Sequence, residues 1–483
     1  MYKLIETILT QFKSCFKRNS TFECFVIIVI GMLLRRDFRG ISSIVSTLRL
    51  EPKCYDNLIH FFRSKAFELS DLMEKWVDIV AQNAPLLKVA GRLVMIGDNI
   101  KIVKEAKKMP AVKKLHQDSE NSGKSEYIYG HNHGVVGIVA QSNQQLTCIP
   151  LMAEIQDGMK QIKPMIPEDD SFLSEPEKDS IVAKMVRLAA KSIMRFQQKT
   201  FLVLDAYFAS NVAFEEAAKV KDHLGNSLLT IIVRAKANFV AFEPAIFSTN
   251  KRGRGRPAKY GKKVSLKELF QSRPRDFQTA KVSLYGKLET IEYLCLDLLW
   301  RPVKGTIRFV LVKHGSTPFI LMCSDLTVPA LQIIELYRYR FKVEVMFKSL
   351  KNIIGSFFYH FWTAAMPRFS RKTTETDLSR IIEPNDKEKI VSTAKAIEVF
   401  TFIGCIAMGI LQLIALHYPA AVWNRFTGWL RTKTPGVTSV ETVRASLQEE
   451  VLWNFRKLSK FSTLQLILVR QRQSLFLYDE DAS

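Results

Sequence analysis

The chain has 483 residues, 47% of them hydrophobic, with 70 Lys plus Arg against 47 Asp plus Glu, a formal net charge of +23 and a pI near 9.6. That length and apolar content exclude a disordered chain and leave room for about two to four domains around a large core. The charge calls for a polyanionic partner held in a salt-dependent way, and by itself leaves nucleic acid and an anionic membrane surface both open.

Seven cysteines (Cys15, Cys24, Cys54, Cys148, Cys295, Cys323 and Cys405) are scattered with no C-x-x-C pair, so neither a disulfide framework nor a zinc site is indicated and a reducing cytoplasm is expected. The start, Met1-Tyr-Lys-Leu-Ile-Glu-Thr-Ile, lacks the charged, apolar and small-residue succession of a secretion signal.

In chain order, residues 1–88 read as helical, and within them 41–48, a break at 49–52 and 53–63 read as helix, turn and helix. A DNA-reading helix-turn-helix with Lys53, Asn57 and Arg63 outward and an ordinary helical hairpin are both compatible with this. The apolar runs 24–34 and 399–411 fall short of the roughly 20 clean residues of a membrane span and are expected to be buried core helices. Residues 93–96, 127–140 and 146–155 read as three consecutive strands, with a long, Lys-rich connection over 101–125 that its length marks as functional. His131 and His133 fall on the second of these strands with no third ligand nearby, and are read as structural.

A polar linker at 157–174, an amphipathic helix at 175–196, a buried strand at 200–204, a helix at 212–218 and a strand at 228–233 follow. Residues 237–316 then hold a basic tract, 251–263, and alternating segments that argue for strands. In the tract, Arg252, Arg254 and Arg256 include an Arg-Gly-Arg-Pro core like that of an AT-hook, which enters a narrow minor groove; a solvated loop is the other reading. A polar stretch at 368–389 is expected to be a mobile linker, and 390–468 to be helical and apolar.

Two acids close apolar strands: Asp98 after 92–97 and Asp205 after 200–204. An unpaired acid is costly at such a place, and metal coordination is one relief; capping of the following loop is another. Further on, Tyr337, Arg340, Glu344, Lys348 and Lys351 stand at offsets 0, 3, 7, 11 and 14. At about 100° per residue they share one helix face, where a carboxylate could hold a metal and its neighbours grip phosphates. The same residues also form a charge ladder of the kind solvated helices carry.

The spacing Tyr-x2-Arg-x3-Glu-x6-Lys, preceded in order by the two strand-end aspartates, resembles bacterial insertion-sequence transposases with a DDE triad and the Y-R-E-K signature. The resemblance covers residues 92–352. It implies an α/β fold, an RNase H-like mixed-sheet core with a β-rich insertion, flanked by N- and C-terminal helical regions. The expected domains are a helical DNA-end-binding domain (1–88), the core (89–236 and 317–362), the insertion (237–316), a linker (363–389) and a C-terminal helical domain (390–483). It implies Asp98, Asp205 and Glu344 as catalytic residues and ligands of two Mg²⁺, which Mn²⁺ can replace. Tyr337, Arg340, Lys348 and Lys351 would bind phosphates. Trp300 has two readings, core packing or stacking on a flipped base as an aromatic of the insertion does in related enzymes.

The implied partner is double-stranded DNA, as terminal inverted repeats and target. The active form would be a homodimer, in a bacterial cytoplasm and without a membrane. Alternatives are a non-catalytic DNA-binding descendant of a transposase and another RNase H-like nuclease. The departures are local: Ala206 follows the second acid where family members often have a polar or basic residue, and Asn99-Ile100 follow the first.

Overall fold

The computed structural model describes residues 1–117, 123, 125–142, 145–166, 180–245, 258–284, 287–315, 317–434, 436–454, 457–458 and 460–472. The protein is mixed α/β, and its chain divides into two units. Met1–Leu86, Asn99–Asp179 and Val345–Ser483 make the first, and Leu87–Asp98 and Ser180–Glu344 the second. The strands are β1 (Lys88–Val89), β2 (Arg92–Val103), β3 (Lys113–His116), β4 (Tyr127–Ser142), β5 (Gln145–Ile155), β6 (Thr200–Leu204), β7 (Leu229–Arg234), β8 (Val240–Pro244), β9 (Tyr260–Ser265), β10 (Gln278–Leu284), β11 (Lys287–Trp300), β12 (Gly305–Lys313) and β13 (Phe319–Cys323).

In the second unit, β2 pairs in parallel with β6 from Leu93↔Thr200 to Ile96↔Val203, and β6 in parallel with β7. β6 is buried along its whole length, as a strand with parallel neighbours on both sides should be. β7 then takes β13 antiparallel, followed by β12 and β11, with β10 and β8 also on β11 and β9 on β8. The segment expected to be β-rich thus supplies β8 to β12. The amphipathic helix Ile181–Phe196 begins on Ser180, whose Oγ accepts from Ala183 N at 3.1 Å, and buries Met185, Val186, Leu188 and Ile193. A Cβ at Gly97 would meet Met185 Sδ at 2.8 Å and Leu204 Cδ2 at 3.0 Å, so glycine lets this helix close on β2 beside Asp98.

In the first unit, β4 and β5 form a long antiparallel hairpin bulged at Val136/Gly137, and β3 pairs with the start of β4. The helix Pro384–His417 packs on β5 and on the helix Asn19–Leu34, with Ile390, Ile397, Phe400, Ile403 and Leu411 fully buried. The run 399–411 was expected to fall short of a membrane span, but the helix that holds it is long and apolar enough to cross one, because it extends from Pro384 to His417; its apolar window is wholly buried, as expected of a core helix. Trp76, on the helix Leu69–Asn83, donates its indole N–H to Pro150 O at 2.8 Å.

Three further expectations need correction. Asp98 does not end its strand, because β2 runs on through Val103. The linker expected at 363–389 is pinned by its backbone. Thr363 N donates to Lys108 O, Phe369 N to Lys107 O and Lys114 N to Thr374 O, while Leu378 N donates to Gln161 Oε1. The connection over 101–125 is no plain loop, since β3 lies within it. The two helices Ile41–Thr47 and Cys54–Phe61 are present, with Lys53, Asn57 and Arg63 exposed.

Candidate active site

Parallel register alone brings the two aspartates together. Ile96 pairs with Val203, so Asp98 and Asp205, each two residues further on, stand at the same level, Asp205 just past the end of β6 and Asp98 still within β2. Asp205 leaves β6 as the cap of a short 3-10 turn, Ala206–Phe208, and its Oδ1 accepts from Ala206 N at 2.7 Å. Its Oδ2 stays available for the site.

The signature segment is not one uniform helix. Ala330–Tyr337 is α-helical, Arg338–Arg340 a 3-10 turn, Phe341–Ser349 α-helical again and Leu350–Ile354 a π turn. A 3-10 turn advances about 120° per residue, so Tyr337 and Arg340 stand one above the other rather than about 60° apart. Tyr337 is half-buried, its ring 6.3 Å from that of Phe319.

Arg340 is the centre of the constellation. Its Nη1 donates to Asp98 Oδ2 at 3.3 Å and lies 3.7 Å from Asp205 Oδ2, and its Nη2 donates to Glu344 Oε1 at 2.8 Å. Two oxygens at 3.3 and 3.7 Å from one nitrogen are at most 7.0 Å apart. Three carboxylates from β2, the end of β6 and the signature helix therefore converge on one guanidinium. Its side chain is 21% exposed. Burial disfavours the charge on Arg340, but the charges of Asp205, Tyr337, Asp98 and Glu344 outweigh it and hold the pKa above the ordinary arginine value.

Arg340 was expected to grip a phosphate, and in this state it serves as counter-ion to the acids. Nothing in the spacing gives that away except the i, i+4 relation to Glu344. Lys348 is exposed one turn after Glu344 on the same helix, and Lys351 is exposed in the π turn. Of the two readings of Trp300, stacking on a base and core packing, the structure favours core packing. Trp300 is buried, with its ring 5.3 Å from Phe239 and 5.7 Å from Phe214. Arg252, Arg254 and Arg256 lie outside the described residues.

His131 and His133 sit in a buried polar cluster of the first unit. His131 Nε2 meets Pro110 O at 2.8 Å, and a carbonyl only accepts, so that nitrogen carries the proton. His131 Nδ1 then accepts from Tyr359 Oη at 2.6 Å, and Tyr359 Oη accepts from His133 Nε2 at 2.8 Å. Burial, together with nearby Lys104, pushes His131 down to about 3, and burial pushes His133 well below its usual value. Both are neutral structural histidines.

Could the three acids hold a metal? Among the described residues no group of three His, Cys, Asp or Glu side chains is arranged to do so, because at this site the acids surround Arg340 instead. Their donor set, carboxylate oxygen throughout, suits Mg²⁺ or Mn²⁺ and not a thiolate-seeking metal. The Arg340 guanidinium occupies the centre of the cluster, so the fit of the acids to such an ion is one of charge and donor chemistry alone. No protein-family model matches the chain, and no curated protein matches it.

Proposed function

We propose that the chain is a DDE transposase, acting on the ends of an insertion sequence by metal-dependent strand cleavage and strand transfer. The observation that carries the reading is the convergence of Asp98, Asp205 and Glu344 on Arg340. The parallel β2–β6–β7 set, the Ile181–Phe196 helix before β6 and the strands inserted between β7 and the signature helix support an RNase H-like core.

Asp98, Asp205 and Glu344 would hold the Mg²⁺ ions. Bound Mg²⁺ supplies Lewis acidity, activating a water or 3′-hydroxyl and stabilising the leaving oxygen in an in-line displacement at phosphorus. Arg340 neutralises the acids before DNA arrives, and once released offers two parallel N–H groups to a phosphate. Lys348 and Lys351 add point charges, and Tyr337 a hydroxyl. Double-stranded DNA is the partner, a homodimer would pair two DNA ends, and a nucleoid-associated cytoplasmic location follows from that partner.

The test is incubation of the full chain with Mg²⁺ and a labelled duplex carrying the flanking end of its own element, beside Glu344→Gln, on a denaturing gel. Cleavage at the element boundary by the unaltered chain alone is expected. Binding without cleavage by either protein, in Mg²⁺ and in Mn²⁺, would replace this reading with the non-catalytic descendant.

A further inference from the structure

A second basic site lies in the first unit, built from the Lys-rich connection after β2 and the segment expected to be a linker. Lys104, Glu105, Ala106, Lys107, Tyr129, Arg368, Phe369 and Arg371 line a cavity of about 430 Å³. Four of these eight residues are cationic and one is acidic.

The cavity is held by a backbone hydrogen bond and by a tyrosine hydroxyl bonded to backbone. Phe369 N donates to Lys107 O at 2.7 Å, and Tyr129 Oη donates to Arg371 O at 2.6 Å, so the two cation-bearing segments are tied at fixed spacing. The Phe369 ring meets Tyr129 edge-on at 5.4 Å, and the Arg371 guanidinium lies 5.7 Å from the Tyr129 ring centroid. Lys104 turns inward: its Nζ donates to Phe357 O at 2.6 Å and Tyr359 O at 3.2 Å, and sits 3.5 Å from the Tyr359 ring centroid. It braces the wall. The side chains of Lys107, Arg368 and Arg371 are the outward charges, all three exposed.

Like charges gathered in one concavity repel, and an anion entering among them relieves that cost. Two guanidinium forks and an ammonium around an aromatic wall match a phosphodiester better than a carboxylate, because a phosphate offers several oxygens to donors arriving from different sides. We propose that this cavity binds a backbone phosphate of a DNA strand through Lys107, Arg368 and Arg371. The proposal rests on the DNA reading above for the source of the phosphate, and uses none of the three acids.

The test uses the full chain carrying Glu344→Gln, to prevent cleavage, and the same chain with Lys107→Ala, Arg368→Ala and Arg371→Ala added. Anisotropy of a labelled 20-nucleotide duplex is followed from 50 to 300 mM NaCl. One lost phosphate contact should lower the slope of log K against log salt by about 0.9 and weaken binding about tenfold at 100 mM. Arg368→Lys with Arg371→Lys should keep the slope, because the charge remains. Equal slopes in parent and triple variant overturn the proposal and leave the three-acid reading standing. A parent that binds no DNA overturns both. A chain that binds through this cavity, but whose unaltered form never cleaves, supports the proposal while removing the catalytic reading. Inorganic phosphate is the second probe. Its saturable binding, without effect on the duplex, would assign the cavity to the free ion and overturn the strand.

Discussion

Replacing Arg340 by Gln should turn the acidic cluster into a ready cation site. The guanidinium meets carboxylate oxygens at 2.8, 3.3 and 3.7 Å. Two unit charges about 3 Å apart are worth roughly 1.4 kcal/mol in bulk water, and partly exposed pairs keep on the order of 1 kcal/mol or less. An entering divalent ion must displace three such contacts, so Arg340 opposes it by about 2–3 kcal/mol, a factor of roughly 30–150 in affinity. Isothermal titration with Mn²⁺, without DNA, reads this directly on the full chain. Arg340→Gln should bind more tightly by about that factor, and Arg340→Lys, which keeps the charge, should not. Equal Mn²⁺ affinity in the unaltered chain and the Gln variant would refute the idea that the guanidinium holds the cation position.

Glu344→Gln and Asp205→Asn should each reduce Mg²⁺-dependent nicking by about 100-fold or more, with duplex affinity little changed; a variant that still nicks at the parent rate would remove that acid from the triad. His131, pushed by burial to about 3, stays neutral in the fold while it titrates near 6.5 in the unfolded chain. The fold is therefore most stable above about pH 6.5, and that stability is lost as pH falls from 6.5 toward 3. Calorimetric Tm should therefore drop less between pH 7 and 4.5 in His131→Gln than in the unaltered chain, and parallel pH profiles would count against the neutral pair. Trp300→Ala should cost about 3–5 kcal/mol of stability with DNA affinity unchanged; a selective loss of DNA binding in a folded variant would return Trp300 to the DNA.

How much of this was legible depended on whether local pattern or long-range pairing decides. The apolar runs that lead up to Asp98 and Asp205 announce themselves as strands, and the signature spacing of Arg340 and Glu344 survives folding because an i, i+4 pair needs only one helical turn. The end of β2 was not legible: past Asp98 come Asn99, Lys101 and Lys104, whose polarity reads as loop, yet backbone pairing carries the strand to Val103. A wheel drawn at one constant angle also missed the 3-10 turn at Arg338–Arg340 and the π turn at Leu350–Ile354. The polar segment around Arg368 and Arg371 looked mobile for want of apolar residues. It is anchored by peptide groups, which every residue carries and no composition reveals.

The helix Pro384–His417 has a consequence for how the chain is made. Its apolar window would satisfy any machinery that sorts nascent chains by hydropathy, and only burial under other parts of the fold distinguishes it from a membrane anchor. Those parts, the helix Asn19–Leu34 and β5, precede it by hundreds of residues. During synthesis they leave the ribosome first, so the segment emerges beside its own cover instead of waiting for it. Order of translation thus acts as a safeguard against mistargeting, and a permuted gene that placed this helix first would forfeit it.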